Sequence, residues 1–150
     1  MTDVFRLPEI KTSLSNFDLI EIIEEGFVAY SQGKVVVPPV GELIFEDPPG
    51  DAHIKYGYIH GDDYFVIKIA TGFYENTQLG IATGNGLMLV FSQKTGELLS
   101  VLLDEGHLTD VRTAAAGAVA AKHLAPTNVE CIGIMGAGIQ GRLQLTYLAS

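Results

Sequence analysis

Apolar residues recur every three or four positions across residues 16–31. Phe17, Ile20, Ile23, Phe27 and Tyr30 fall on one side of a helix. Ser15 or Asn16 offers its N-cap and Gly33 its stop. Val35, Val36 and Val37 then run into Pro38 and Pro39, a short strand ended by the proline pair. Residues 46–51 read as a loop. Residues 52–59 and 63–70 are β-rich runs, and Gly61-Asp62 between them suits the tip of a two-residue hairpin. Residues 72–85 are rich in Gly, Asn and Thr and carry no period. Residues 86–91 and 98–103 form a second hairpin about a polar turn. Residues 109–125 read as a helix capped by Thr109 and ended by Pro126. Its run Ala114-Ala115-Ala116-Gly117-Ala118 has almost no bulk, which predicts close packing against another element. Residues 129–135 are a short apolar strand, 136–141 a glycine-rich turn, and a helix starts over 142–149.

This order predicts an α+β N-terminal domain with an antiparallel or mixed sheet over residues 1–126. The first βα unit of a Rossmann α/β domain follows over 127–150. One such unit cannot bury its strand on both faces. The chain reaches Ser150 inside an apolar helix without a stop signal. The expectation is a truncated piece of a larger two-domain protein; the alternative is a small domain whose last helix packs back on the rest.

Composition narrows the classes. Of 150 residues, 47% are apolar and 18% charged, which excludes a disordered chain. No apolar run reaches the roughly 18 residues of a membrane helix, and charges scattered through the first 25 residues speak against a secretory signal. The single cysteine, Cys131, forms no internal disulfide, and a reducing, cytoplasmic setting is expected. It also cannot build a cysteine zinc site, and no metal is expected. Net charge is −9 and the nine basic residues are scattered, unlike the basic face of a nucleic-acid binder. Isolated cations in apolar surroundings suit a small anion instead.

Four segments are candidates for chemistry. Gly136-x-Gly138-x-x-Gly141 follows an expected strand and opens an expected helix. Gly136 permits the tight turn, Gly138 lets a pyrophosphate approach the backbone, and Gly141 lets helix and strand pack closely. Free N–H groups at the helix start then bind the phosphates. The acidic residue that reads the ribose lies about 20 residues further on, so NAD and NADP are not separated. Next, a Gly61-Asp62 tip sets Lys55 directly opposite Lys68. Like charges so placed destabilise a sheet. Either an anion such as a substrate carboxylate lies between them, or both point into water. With Thr109 as N-cap, Arg112 falls at the third helical position, where the dipole disfavours a cation. Either it shares an anion with the helix N-terminus, or it pairs with Asp104, Glu105 or Asp110. Finally, residues 72–85 either present Asn76, Thr77 and Thr83 to a phosphate or form an ordinary crossover.

Together these segments resemble the ornithine cyclodeaminase/mu-crystallin family. The resemblance rests on Phe65-Val66-Ile67-Lys68, on Leu108-Thr109-Asp110-Val111-Arg112-Thr113-Ala114-Ala115, and on Gly136-Ala137-Gly138-Ile139-Gln140. It covers about residues 16–150. It implies a substrate-binding and dimerisation domain, then a Rossmann domain that binds NAD or NADP, in a homodimer. It implies hydride transfer at the Cα of a small amino or imino acid, with no nucleic acid or membrane partner. Lys68 and Arg112 would hold the substrate carboxylate, with Lys68 at the reacting centre. Thr83 and Arg112 would contact the cofactor, with Gly136, Gly138, Ile139 and Gln140 in its phosphate loop. The resemblance spans cyclodeaminases, imino-acid reductases and amino-acid dehydrogenases. Against it stands a non-catalytic binding or dimerisation module.

Two departures from the family are visible. The arginine that often follows the proline pair is Val40 here, and Lys55 occupies a position that is often acidic or neutral. Lys55 is therefore expected to replace that arginine, which puts ornithine in doubt as substrate. The family's acid/base aspartate would lie past residue 150. The 150-residue piece is therefore expected to be inactive alone, and poorly soluble unless a partner covers its open sheet.

Overall fold

The computed structural model describes residues 1–149. The chain opens with strand β1 (Asp3–Arg6), helix α1 (Leu7–Leu14) and helix α2 (Leu19–Ser31). Strands β2 (Val35–Val36), β3 (Gly41–Glu46), β4 (Pro49–Ile59) and β5 (Tyr64–Phe73) follow. A 3₁₀ turn (Tyr74–Leu79) leads to β6 (Gly84–Ser92), β7 (Leu98–Leu103), α3 (His107–Leu124) and α4 (Ile139–Leu148). The sheet runs β1-β7-β6-β5-β4-β2, with β3 also on β4. Every ladder is antiparallel except β1 on β7, so the sheet is mixed, as expected.

Several expectations are corrected. Residues 46–51 are no loop: β3 and β4 form a tight hairpin through them, since both flanks carry apolar residues that pair, as Phe45 does with Gly50. The N-cap of α2 is Asp18, not Ser15 or Asn16; its carboxylate accepts from Ile20 N (3.0 Å) and Glu21 N (3.1 Å). The stretch 72–85 is largely ordered by β5, the 3₁₀ turn and the start of β6. Residues 129–135 form no strand, because none of the described strands supplies a ladder for them. Helix α4 begins at Ile139, within the glycine turn rather than after it.

The two faces of the sheet differ. Lys55, Lys68, Met88, Leu102 and Phe5 lie in one row across five strands. Helix α1 flanks the end of that row, where Phe5, Leu102, Ile10, Leu14 and Leu108 line a cavity. The opposite face carries Tyr56, Ile67, Leu89, Val101 and Val4 in the neighbouring row, with Phe65 stacked on Phe91 at 4.8 Å. Tyr56 is 43% and Val4 55% exposed there. The buried core gathers around α3 instead: Val111, Ala114, Ala115, Ala118 and Val119, with Ile10 from α1. The small-residue run thus packs closely, and a Cβ on Gly117 would meet the Gln144 side chain of α4 at 2.0 Å.

Candidate functional site

Lys68 sits in the middle of β5, with Lys55 of β4 directly opposite and Met88 of β6 on its other side. A directly opposed pair shares a face, so both ammonium groups project to the α3 side. Lys68 is half-buried, and its pKa is pushed down from 10.5 to about 8. Burial is the largest cause, followed by the charges of Arg112 and then Lys55, while Asp104 acts the other way. Three cations from three separate elements therefore share one field.

The nearby acids do not neutralise them. Glu42 and Asp51 lie on the same face but are engaged by His53, whose Nε2 is 2.9 Å from Glu42 and whose Nδ1 is 3.3 Å from Asp51. Tyr74 donates its hydroxyl to Asp51 Oδ2 at 2.6 Å. Among the described residues, Lys55, Lys68 and Arg112 form no ion pair. The suggested bridges from Arg112 to Asp104, Glu105 or Asp110 are absent.

The reason given for Arg112 needs correction. Helix α3 starts at His107 behind Gly106, whose φ is +84°, and Thr109 is not its cap. Arg112 therefore sits in the second turn, beyond the reach of the terminal dipole. Asp104 caps the helix from outside: its Oδ2 accepts from Leu108 N at 2.8 Å, and its carbonyl accepts from His107 N at 2.9 Å. Asp104 is 1% exposed, and its Oδ1 is buried without a hydrogen-bond partner among the described residues. The sequence offers Asp104 as a partner for Arg112, and Leu103-Asp104 among the residues that carry the family resemblance, but not as a helix cap. The available signal was an aspartate two residues before a glycine at a helix start.

The glycine turn keeps its steric logic. Gly136 has φ +99°, a backbone that suits only glycine. A Cβ on Gly141 would lie 2.4 Å from the Gly136 carbonyl oxygen, so the helix can leave the turn only without one. A Cβ on Gly138 would meet nothing within 4 Å, which leaves open space at the N-cap of α4. No side chain caps α4 among the described residues. Exposed Ile139 follows as its first residue. An uncapped helix start above open glycine backbone fits a dinucleotide pyrophosphate.

Gln140 ties α4 to α3. Its Nε2 donates to Asp110 Oδ1 (3.0 Å) and to the Asp110 carbonyl (3.2 Å), while its Oε1 is buried and unpartnered. Gln144 donates to the Thr113 carbonyl at 3.2 Å. These bonds dock α4 beside the half of α3 that carries Arg112. Thr83 stands exposed just before β6, with its carbonyl accepting from Phe73 N at 2.8 Å. Two residues later, the Asn85 backbone approaches Gly106 at the start of α3.

Comparison with known proteins gives the family and the fold. A family model described as "Ornithine cyclodeaminase/mu-crystallin family" matches residues 2–150. An uncharacterized cyclodeaminase of Sinorhizobium fredii is 44% identical over 134 residues, 89% of this chain and 40% of that protein. Alanine dehydrogenase of Archaeoglobus fulgidus is 34% identical over 140 residues, 93% of this chain and 42% of that protein. The Delta(1)-pyrroline-2-carboxylate reductase of Thermococcus litoralis, solved with NADH and L-proline, superposes with a TM-score of 0.92 at 29% identity. It covers 99% of this chain and 46% of its own. An archaeal alanine dehydrogenase dimer with bound NAD gives a TM-score of 0.86 at 31% identity, over 99% and 45%. The chain thus spans about two fifths of the length of the curated relatives it matches.

Proposed function

The chain belongs to the ornithine cyclodeaminase/mu-crystallin family, and we propose that its full-length protein is an NAD(P)-dependent enzyme acting at the Cα of a small amino or imino acid. The carrying observation is the convergence of Lys68, Lys55 and Arg112, unpaired, over one sheet face. A carboxylate offers two oxygens and about four lone-pair sites. Arg112 suits a bidentate grip and Lys68 a single strong contact. Such a clamp fixes Cα relative to the nucleotide, and positioning of this kind lowers the barrier substantially. Lys68, the deepest of the three, is the residue proposed at the reacting centre. Lys55 takes the place of the arginine that Val40 does not provide.

NAD or NADP, when bound, supplies or accepts the hydride. The turn Gly136–Gly138, with Ile139 and Gln140, would hold its pyrophosphate; Thr83 and Arg112 would flank it. Residues 1–126 are then the substrate and dimerisation part, and 127–150 the start of the nucleotide domain. The half-exposed apolar face with Tyr56, Phe65 and Phe91 would be buried in a homodimer.

The named relatives define the assay. NADH and NADPH oxidation would be followed with Δ1-pyrroline-2-carboxylate, NAD⁺ and NADP⁺ reduction with L-alanine, and ammonia release with L-ornithine. Turnover of any one that collapses in Lys68→Met supports the reading. Tight carboxylate binding with no turnover of any candidate would favour a non-catalytic binding module instead.

A further inference from the structure

A cavity of about 360 Å³ lies between α2, β2 and α3. Its wall takes one face of each element. Ile23, Phe27 and Tyr30 come from α2 at spacings of four and three, and Ala116 comes from α3, one turn beyond Arg112. Val35 and Val37 close it from the sheet side. Arg112 is the one charged residue in this wall among the described residues, and the Tyr30 hydroxyl the one other polar side-chain group. An apolar pocket of a few hundred Å³ with one or two polar groups is the usual form of a small-ligand site.

Strand register joins the cavity to the lysine pair. Val35 pairs with Ile59, and Ile59, Gly57 and Lys55 alternate onto one face of β4. Lys68 shares that face through its pairing with Lys55. A Cβ on Gly57 would meet the Val36 carbonyl oxygen at 2.5 Å and Val37 Cγ2 at 3.4 Å. Val37 therefore stands over Gly57, two residues or about 7 Å along the strand from Lys55.

A second observation concerns Gly26, which also lines the cavity in the middle of α2. Glycine inside a helix is less stable than alanine there. Gly26 has no left-handed φ, and a Cβ on it would meet nothing within 4 Å. Neither a turn nor a close approach calls for glycine at this position. Its missing side chain leaves the cavity open.

We propose that this cavity receives the side chain of the substrate, and that the substrate is therefore an amino or imino acid with a bulky apolar side chain. The inference rests on the clamp reading above. Arg112 belongs to both the clamp and the cavity wall, so a carboxylate held there leaves the rest of the molecule beside Ile23, Phe27, Val35 and Val37. A distal ammonium, as in a diamino acid, would lose water there without meeting an acid.

The test measures affinity by calorimetry on the full-length protein with NADH present, using plain carboxylates as probes. From propanoate to 4-methylpentanoate, affinity should rise about threefold to fourfold per buried carbon. A flat series overturns the proposal. Pentanoate should bind at least tenfold more tightly than 5-aminopentanoate, and equal binding overturns it as well. Gly26→Leu should flatten the series, its loss growing with the length of the acid. A loss equal for every acid, or a slope kept as in the parent, is against the proposal. Should that variant fold poorly, the two comparisons in the parent still decide. Lys68→Met separates the readings. If it binds propanoate as the parent does, the clamp is wrong and this inference falls with it. If it loses propanoate while the parental series is flat, only the side-chain site is wrong.

Discussion

Lys55 and Lys68 stand directly opposite each other across the β4–β5 ladder, with neither ion-paired among the described residues. Like charges so placed weaken a sheet. Lys68 has a pKa of about 8 against its ordinary 10.5, lowered chiefly by burial, then by Arg112, and after these by Lys55. A depressed lysine disfavours the folded state while it is charged in both states, below about pH 8. Between pH 8 and 10.5 the unfolded chain holds the extra proton, so stability rises with pH through that window. Lys68→Met should therefore stabilise the ligand-free protein at pH 7 by about 1 to 2 kcal/mol after solvent screening. Urea midpoints at pH 7 and pH 10.5 check this: the gain should shrink at the higher pH.

Lys55 is the more exposed of the pair, and its removal tests its share in binding. A charge-assisted hydrogen bond contributes about 1.5–3 kcal/mol. Lys55→Ala in the full-length protein should raise KM for the carboxylate substrate about tenfold or more, with a smaller change in kcat. It should also relieve Lys68, whose pKa rises once a neighbouring cation is gone. An unchanged KM would remove Lys55 from the clamp.

How far the sequence revealed this site depends on which forces are local. The β4–β5 register was readable because Gly61 allows a turn with φ +93°, and the turn fixes every pair up the ladder, Lys55 and Lys68 included. The role of Arg112 was misjudged for a local reason too. Thr109 looks like a cap, yet the real one is the Asp104 side chain reaching past a left-handed Gly106. Strand β1 was illegible because four exposed residues beside Leu98–Leu103 owe their form to a parallel partner almost a hundred positions away. Residues 129–135 show the converse: an apolar run has strand propensity, but a ladder needs a neighbour.

A surface tie offers a different check. Glu24 of α2 meets Lys122 at 2.6 Å and His123 at 2.5 Å, joining α2 to the C-terminal end of α3. These hydrogen bonds hold the Glu24 carboxyl below its ordinary 4.5. A depressed carboxylate contributes stability above its unfolded pKa and loses it as pH falls through the folded value. Glu24→Gln should lower the melting temperature at pH 7, and the difference should fade as pH drops below 4.5. Added salt should narrow it as well.

Two glycines of the nucleotide turn separate folding from binding. A Cβ on Gly141 would sit 2.4 Å from the Gly136 carbonyl, so Gly141→Ala must force α4 away from the turn. Overpacking of this kind costs about 1–3 kcal/mol, and the loss should show as a lower melting temperature in the absence of nucleotide. Gly138 has open space where its Cβ would be, and its φ of −71° is one that alanine adopts freely. Gly138→Ala should therefore melt like the parent. If the pyrophosphate approaches the α4 N-terminus there, the added methyl stands in its path, and NADH affinity in the full-length protein should fall. Fluorescence titration with NADH measures this. The diagnostic pattern is a Gly138→Ala protein of parental stability and weakened nucleotide binding. Parental affinity in that variant would place the phosphates elsewhere.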